Sequence, residues 1–161
     1  MFKIKNKKIF TLILIFSIFA LLFAYFVEFV LNHKPCNLCI IERIPYVLTI
    51  IIILFSFIFK KYEKIFLILL GLIFFSATIL SFYHFGIEQG FIEESFVCNL
   101  DNNNNNLTTE DLLKELKEKT ISCKNVTFKI LGLSLATINT IISFILTIII
   151  VKLFLNYEKN K

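Results

Sequence analysis

Apolar positions in this chain fall into four long runs separated by polar stretches. The first extends without a charge from Ile9 to Val27, and its apolar pattern continues past Glu28 to Leu31. The second covers Ile44 to Phe59. The third covers Ile65 to Ile87 and contains His84 as its one group that ionises near neutral pH. The fourth covers Ile130 to Val151. A helix crosses the hydrocarbon layer in about 20 residues. The first, third and fourth runs meet that length outright. The second does so only if its helix begins nearer Cys39 and Arg43 reaches up to the interface. The pattern therefore predicts an all-α integral membrane four-helix bundle. It forms a single domain over 1–161, with spans at about 9–31, 41–59, 65–87 and 130–151.

The polar stretches give the spans a direction. Lys3, Lys5, Lys7 and Lys8 precede the first span. Lys60, Lys61 and Lys64 join the second to the third, and Lys152, Lys159 and Lys161 end the chain. Basic residues concentrate on the cytoplasmic side of membrane proteins, so both termini are expected there. The loops 32–40 and 88–129 then face outward, and the second of them is net acidic. The first run is too long for an ordinary signal-peptide core, and no small-residue cleavage site follows it, so it reads as a retained span.

The second outer loop carries its own pattern. A polar run, Asn102 to Asn106, precedes Leu107-Thr108-Thr109-Glu110-Asp111-Leu112. Thr108 is placed as an N-cap, with Asp111 closing a capping box and Leu107 stapling onto Leu112. Glu110/Lys114 and Glu115/Lys119 form favourable pairs one turn apart. Leu112, Leu113 and Leu116 give one apolar face. A short amphipathic helix lying on the membrane surface is expected here.

Composition agrees with this picture. Of 161 residues, 57% are hydrophobic and 18% charged, and the mean hydropathy is +0.80. Soluble domains carry about 25% charged residues. The net charge of +5 flanks apolar runs, so it reports membrane topology and not nucleic-acid binding.

The candidate chemistry lies in four cysteines, all in or beside the two outer loops. Cys36-Asn37-Leu38-Cys39 is a C-x-x-C at the entry to the second span, and Cys98 and Cys123 flank the polar run and the short helix. If the topology is right, two possible disulfides share the oxidising side of a membrane, such as a bacterial periplasm. A helix N-terminus, with His33, Lys34 and Arg43 nearby, favours a thiolate in the C-x-x-C, while Glu42 opposes it. Zinc is the competing reading, with Cys98 and Cys123, or His33, completing the ligand set. The wide spacing of the second pair ranks it below redox chemistry. A plain staple explains Cys98/Cys123 by itself, at about 3–3.5 kcal/mol in the chain-entropy account. It does not explain the second pair facing it. A mobile loop with an exposed disulfide can instead exchange with a partner thiol and pass electrons to Cys36/Cys39. The chain has no haem, nucleotide or iron–sulfur motif. A bilayer-dissolved quinone, which accepts two electrons, fits as the acceptor.

Pro35-Cys36-Asn37-Leu38-Cys39-Ile40-Ile41-Glu42-Arg43 resembles the P-C-x-L-C-x-x-[EQ]-R signature of the DsbB family of disulfide bond formation proteins. Tyr83-His84-Phe85-Gly86-Ile87-Glu88-Gln89-Gly90 is similar to the Y-H-x-G-x-E-x-G stretch of its shorter members. Leu131-Gly132-Leu133-Ser134-Leu135-Ala136, with Asn139, is similar to the opening of their last span. The resemblance implies a thiol oxidase of the bacterial inner membrane that uses ubiquinone or menaquinone. By the same resemblance, Cys98/Cys123 takes electrons from a periplasmic thioredoxin-fold oxidant of the DsbA type, and Cys98 is the sulfur attacked. Cys36/Cys39 receives the electrons, Cys39 reacts with quinone, and Arg43 assists at a quinone oxygen. His84 is placed either at a quinone carbonyl or on a proton path, against a reading as a polar cap. Glu88 reads as a loop-side structural carboxylate, and Ser134 and Asn139 as interhelical hydrogen-bond residues. An Asn run replaces the Pro/Trp-rich stretch of some members, which suits a specialised oxidant as partner, as for DsbI-type relatives.

Two other classes compete. One is a non-catalytic four-span protein whose disulfides only staple its loops. The other is a quinone reductase resembling the vitamin K epoxide reductase family, in which the active C-x-x-C lies at the last span and not before the second.

Overall fold

The computed structural model describes residues 4–93, 98, 123, 129–130 and 132–159. The Asn run at 102–106 and the amphipathic helix expected after it lie outside the described residues. Helix α1 covers Ile4–Phe29, α2 Asn37–Ile41, α3 Ile44–Ile58, α4 Glu63–Glu88 and α5 Leu135–Lys159. A single 3-10 turn, Lys60–Tyr62, joins α3 to α4. Among the described residues, four segments are long and apolar enough to cross a membrane: α1, α2 with α3, α4, and α5. The protein is an all-helical membrane protein.

The second span extends closer to the cysteines than the apolar run alone indicates, and the reason is local. Pro45 has no N–H to donate to the carbonyl of Ile41, so the helix breaks at Glu42–Arg43. Both residues stay in right-handed helical geometry. The chain therefore resumes as α3 with only a local break. This adds α2 to the span and carries Cys39 on it.

The last helix begins at Leu135 and not at 130. Lys129–Ile130 and Leu133–Ser134 pair instead as a minimal antiparallel hairpin. Gly132 takes φ 84° at its turn, a conformation that favours glycine. Ser134 then caps α5, its Oγ accepting from the Thr137 N–H at 3.1 Å. At the end of α4, Gly90 adopts φ 77° while the Phe91 N–H reaches back to the Gly86 carbonyl at 2.9 Å. This left-handed exit closes the helix. Asn32, at φ 54°, plays the same part after α1.

The bundle core is one cluster built on Phe10, Ile13, Tyr46, Ile53, Leu70 and Phe74, extended by Leu146, Ile150 and Leu153 of α5. Small hydroxyl residues, Ser17, Ser56, Ser81 and Ser143, are fully buried where helices meet. Small side chains let backbones approach where lipid offers no hydrophobic drive to association. Helix α4 packs along α5, α3 lies against α4, and α1 leans on α3. Large apolar side chains such as Leu12, Ile15, Leu22, Phe75, Phe82 and Phe144 point outward. Such a continuous apolar surface is suited to lipid. Away from the cysteines, Lys64 of α4 pairs with Glu158 of α5.

Candidate functional site

The site is assembled where α1 ends, α2 begins, α4 ends and α5 begins. Cys36 is the N-cap of α2, with extended backbone (φ −74°, ψ 166°), and its Sγ accepts from the Cys39 N–H at 3.3 Å. One helical turn on, the Cys39 Sγ lies 2.6 Å from the Cys36 Sγ. Hydrogen bonding from the Cys39 thiol holds the Cys36 thiol far below its usual range, at about 5. Burial opposes that shift, while the His84 hydrogen bond and charge and the Cys39 N–H add to it. Cys36 is thus buried and thiolate-prone, whereas Cys39 is the more exposed of the two.

His84 reaches Cys36 from α4. Its Nε2 lies 3.6 Å from the Cys36 Sγ, and its Nδ1 lies 2.8 Å from Glu42 Oε1. The ring is 2% exposed, so it is no polar cap at the helix end. Glu42 is held in turn by Asn139 of α5, whose Nδ2 donates to Oε2 at 2.9 Å and to Ser81 Oγ at 2.7 Å. The Asn139 carbonyl accepts from the Tyr46 hydroxyl at 2.5 Å. Tyr46, Asn139, Glu42, His84 and Cys36 therefore form one buried chain of hydrogen bonds across α3, α5, α2 and α4. Chemically this is a thiol beside an imidazole that a carboxylate orients, the arrangement of an activated nucleophile. Glu88 accepts from the Ser134 hydroxyl and lies 3.8 Å from His84 Nε2.

Arg43 is held against α1. Its Nη1 donates to Glu28 Oε2 at 2.6 Å, and its guanidinium carbon stands 5.0 Å over the Tyr25 ring centre. Both partners come from α1. Arg43, Glu28 and Cys39 line a cavity of about 380 Å³, together with His84 and Asn139. Its remaining walls are mainly apolar, with Phe16, Phe19 and Phe23 from α1 facing Ile138 and Ile142 from α5. An apolar cleft with a few converging polar groups is the usual form of a small-molecule site.

Cys98 and Cys123 form a disulfide with Cα atoms 5.9 Å apart. It is not the exposed disulfide expected of a mobile loop. Both cysteines are buried, in one cluster with Cys36, Leu38 and Ile87, against which Cys39 and Tyr83 pack. Apolar packing around the sulfurs explains the difference: the loop is drawn inward at its cysteines. Cys36, Cys39 and His84 also bring three metal-type ligand atoms within 4.8 Å of one another. Two thiolates on one tetrahedral zinc ion sit about 3.7 Å apart, given Zn–S bonds of about 2.3 Å. A sulfur separation of 2.6 Å suits dithiol closure better.

Three residues escaped the sequence reading. Glu42 read only as a charge opposed to a thiolate, yet it orients His84. The signal was its place three residues after Cys39, on the same helical face. Tyr46 and Ser81 had no such signal, because their partners come from other helices. Asn139 does bridge helices, as its polarity within an apolar run indicates, and Ser134 both caps α5 and binds Glu88.

The fold and site define a helical membrane protein with two cysteine pairs gathered at one end of the bundle. The sequence profile of the family described as "Disulfide bond formation protein DsbB" matches residues 6–153, and the chain belongs to that family. It is also 34% identical over 156 residues to the uncharacterized protein RP370 of Rickettsia prowazekii (strain Madrid E), covering 95% of this chain and 90% of that one. No solved structure matches the chain.

Proposed function

We propose that this protein is a membrane thiol oxidase. It re-oxidises a periplasmic thioredoxin-fold dithiol of the DsbA type and passes the electrons to a membrane quinone, supporting disulfide formation. One observation carries the reading: both cysteine pairs pack in a single buried cluster beside a cavity that Cys39 lines. A protein merely stapled at its loops has no need to bring a thiolate-prone C-x-x-C, an imidazole and a second disulfide together. Family membership supports the same reading.

In this scheme a partner thiolate attacks Cys98, and the partner closes its own disulfide, leaving Cys98 and Cys123 as thiols. Those thiols reduce a Cys36–Cys39 disulfide by two exchanges through their shared cluster: one thiolate attacks Cys36 and displaces Cys39, then the other re-forms the Cys98–Cys123 bond and displaces Cys36, a departure that its low thiol range favours. Quinone, when bound, accepts the two electrons released as Cys36 and Cys39 close again. The cavity's residues fit such a group: apolar walls suit a ring and tail, and Arg43 offers a planar cation to an oxygen acceptor. His84 takes the Cys36 proton at Nε2, and Glu42 stabilises the resulting imidazolium. The net reaction is partner dithiol plus quinone to partner disulfide plus quinol, with two electrons and two protons conserved.

In this reading the protein is one four-span domain of the inner membrane, with both termini in the cytoplasm and both cysteine loops in the periplasm. The test uses purified protein, a reduced thioredoxin-fold oxidant and a short-chain ubiquinone analogue. Quinol should form in proportion to oxidised partner, and Cys98→Ser should stop it while leaving Cys36/Cys39 oxidised in aerated membranes. Quinol formation that survives Cys98→Ser, or a fully reduced Cys36/Cys39 in that variant, refutes the electron order.

A further inference from the structure

Helix α1 carries a carboxylate one turn from the cysteine end of an otherwise apolar span. Glu28 is its one charged residue between Ile9 and Phe29. An ionisable group in such a segment is costly and persists where a partner or a task requires it. Its partner is Arg43 Nη1 at 2.6 Å, with the two side chains 25% and 16% exposed. Tyr25, three residues earlier on the same helix, places its ring beneath the same guanidinium. One nitrogen of the fork is therefore fixed by Glu28 and one face by Tyr25. Arg43 has five N–H donors, and the remaining ones stand beside Cys39, one helical turn away, in the cavity that Glu28, Cys39 and Arg43 line.

We infer that Glu28 is a positioning residue for the quinone site: it sets the orientation of the Arg43 guanidinium. This rests on the reading of Arg43 as the group that meets a quinone oxygen. The backbone gives Arg43 no other fixed attachment for its side chain. It is the N-cap residue of α3, yet its side chain makes no capping hydrogen bond. A long arginine with only an aromatic face to lean on samples many rotamers, and each loosely held rotamer lowers the fraction of time the fork faces an acceptor. A carboxylate on one edge removes most of that freedom. It also makes the pair neutral overall, so the cavity receives an uncharged ligand without leaving an unpaired cation in an apolar wall.

An ion pair that only clips α1 to the α2–α3 junction makes different predictions, and full-length protein separates the two. KM and kcat for a short-chain ubiquinone analogue are measured together with thermal stability. The variants are Glu28→Gln, Glu28→Asp, Arg43→Ala, the double variant Glu28→Gln/Arg43→Ala, and the exchanged pair Glu28→Arg/Arg43→Glu. Positioning predicts that Glu28→Gln raises KM about tenfold with a smaller effect on kcat. It predicts an intermediate KM for Glu28→Asp, whose carboxylate is one methylene short. It further predicts that Glu28→Gln adds nothing once Arg43 is alanine, and that the exchanged pair recovers stability but not KM. The inference is overturned if Arg43→Ala raises KM and Glu28→Gln does not, or if the two substitutions multiply in the double variant. Recovery of KM by the exchanged pair also overturns it, because that is how a clip behaves. If Arg43→Ala leaves quinone kinetics untouched in a folded protein, the reading of Arg43 fails and this inference falls with it.

Discussion

Replacing His84 with glutamine tests whether the imidazole sustains the Cys36 thiolate. Glutamine keeps a hydrogen-bond donor for Glu42 but provides no basic nitrogen for the sulfur. In the native protein the Cys36 thiol is held at about 5, first by Cys39 and then, against burial, by His84 at 3.6 Å. Cys36 is an acid with a depressed value, so its thiolate is present above that value and is lost as pH falls through it. A hydrogen bond to a charged group contributes about 1.5–3 kcal/mol. At about 1.4 kcal/mol per tenfold, its loss weakens the acid dissociation of Cys36 roughly ten- to a hundredfold, and from a value of about 5 the thiolate population near pH 6 then falls by roughly two- to twelvefold. The assay is alkylation of reduced protein in a Cys98→Ala/Cys123→Ala background, with the modified cysteine identified by mass spectrometry between pH 4 and 9, roughly the window from below the shifted value to the free-thiol value. Native protein should keep Cys36 reactive until pH falls to about 5. His84→Gln should lose that reactivity at clearly higher pH. Superimposable pH profiles for the two proteins refute the assignment of His84 to the sulfur.

Two further outcomes are expected. Reporter fusions at Tyr62 and Asn104 should give opposite signals, with Tyr62 cytoplasmic; a cytoplasmic signal at Asn104 would put the cysteines in a reducing compartment and end the redox reading. Gly90→Ala should lower stability by about 1–2 kcal/mol, read as an earlier thermal transition, because alanine resists the φ of 77° that ends α4; an unchanged transition would mean the exit can be rebuilt.

The four helices were legible because each is an uninterrupted apolar run, and in lipid only closed backbone hydrogen bonding is tolerable along such a run. The Pro45 break and the late start of α5 were less visible, since both depend on single hydrogen bonds that hydropathy does not register. The Cys36/Cys39 pair announced itself by spacing. The path from Tyr46 through Asn139 and Glu42 to His84 did not, because it joins four helices whose register is set by packing. Arg43 was recognisable as a boundary arginine, but its tie to Glu28 depends on how α1 leans against α3. A lone glutamate near the end of an apolar run gives no hint of which neighbour it will meet.

The buried seat of the Cys98–Cys123 disulfide has a consequence for traffic. A sulfur pair at 4% and 3% exposure is shielded from a folded visitor, so under the proposed function Cys98 and Cys123 would have to leave this seat before a partner could touch them. On that reading the seat would work as an airlock, with Cys98 and Cys123 meeting either the visitor or the inner pair and never both. On the same reading, reducing equivalents would then cross in counted parcels of two, handed from one sulfur pair to the other.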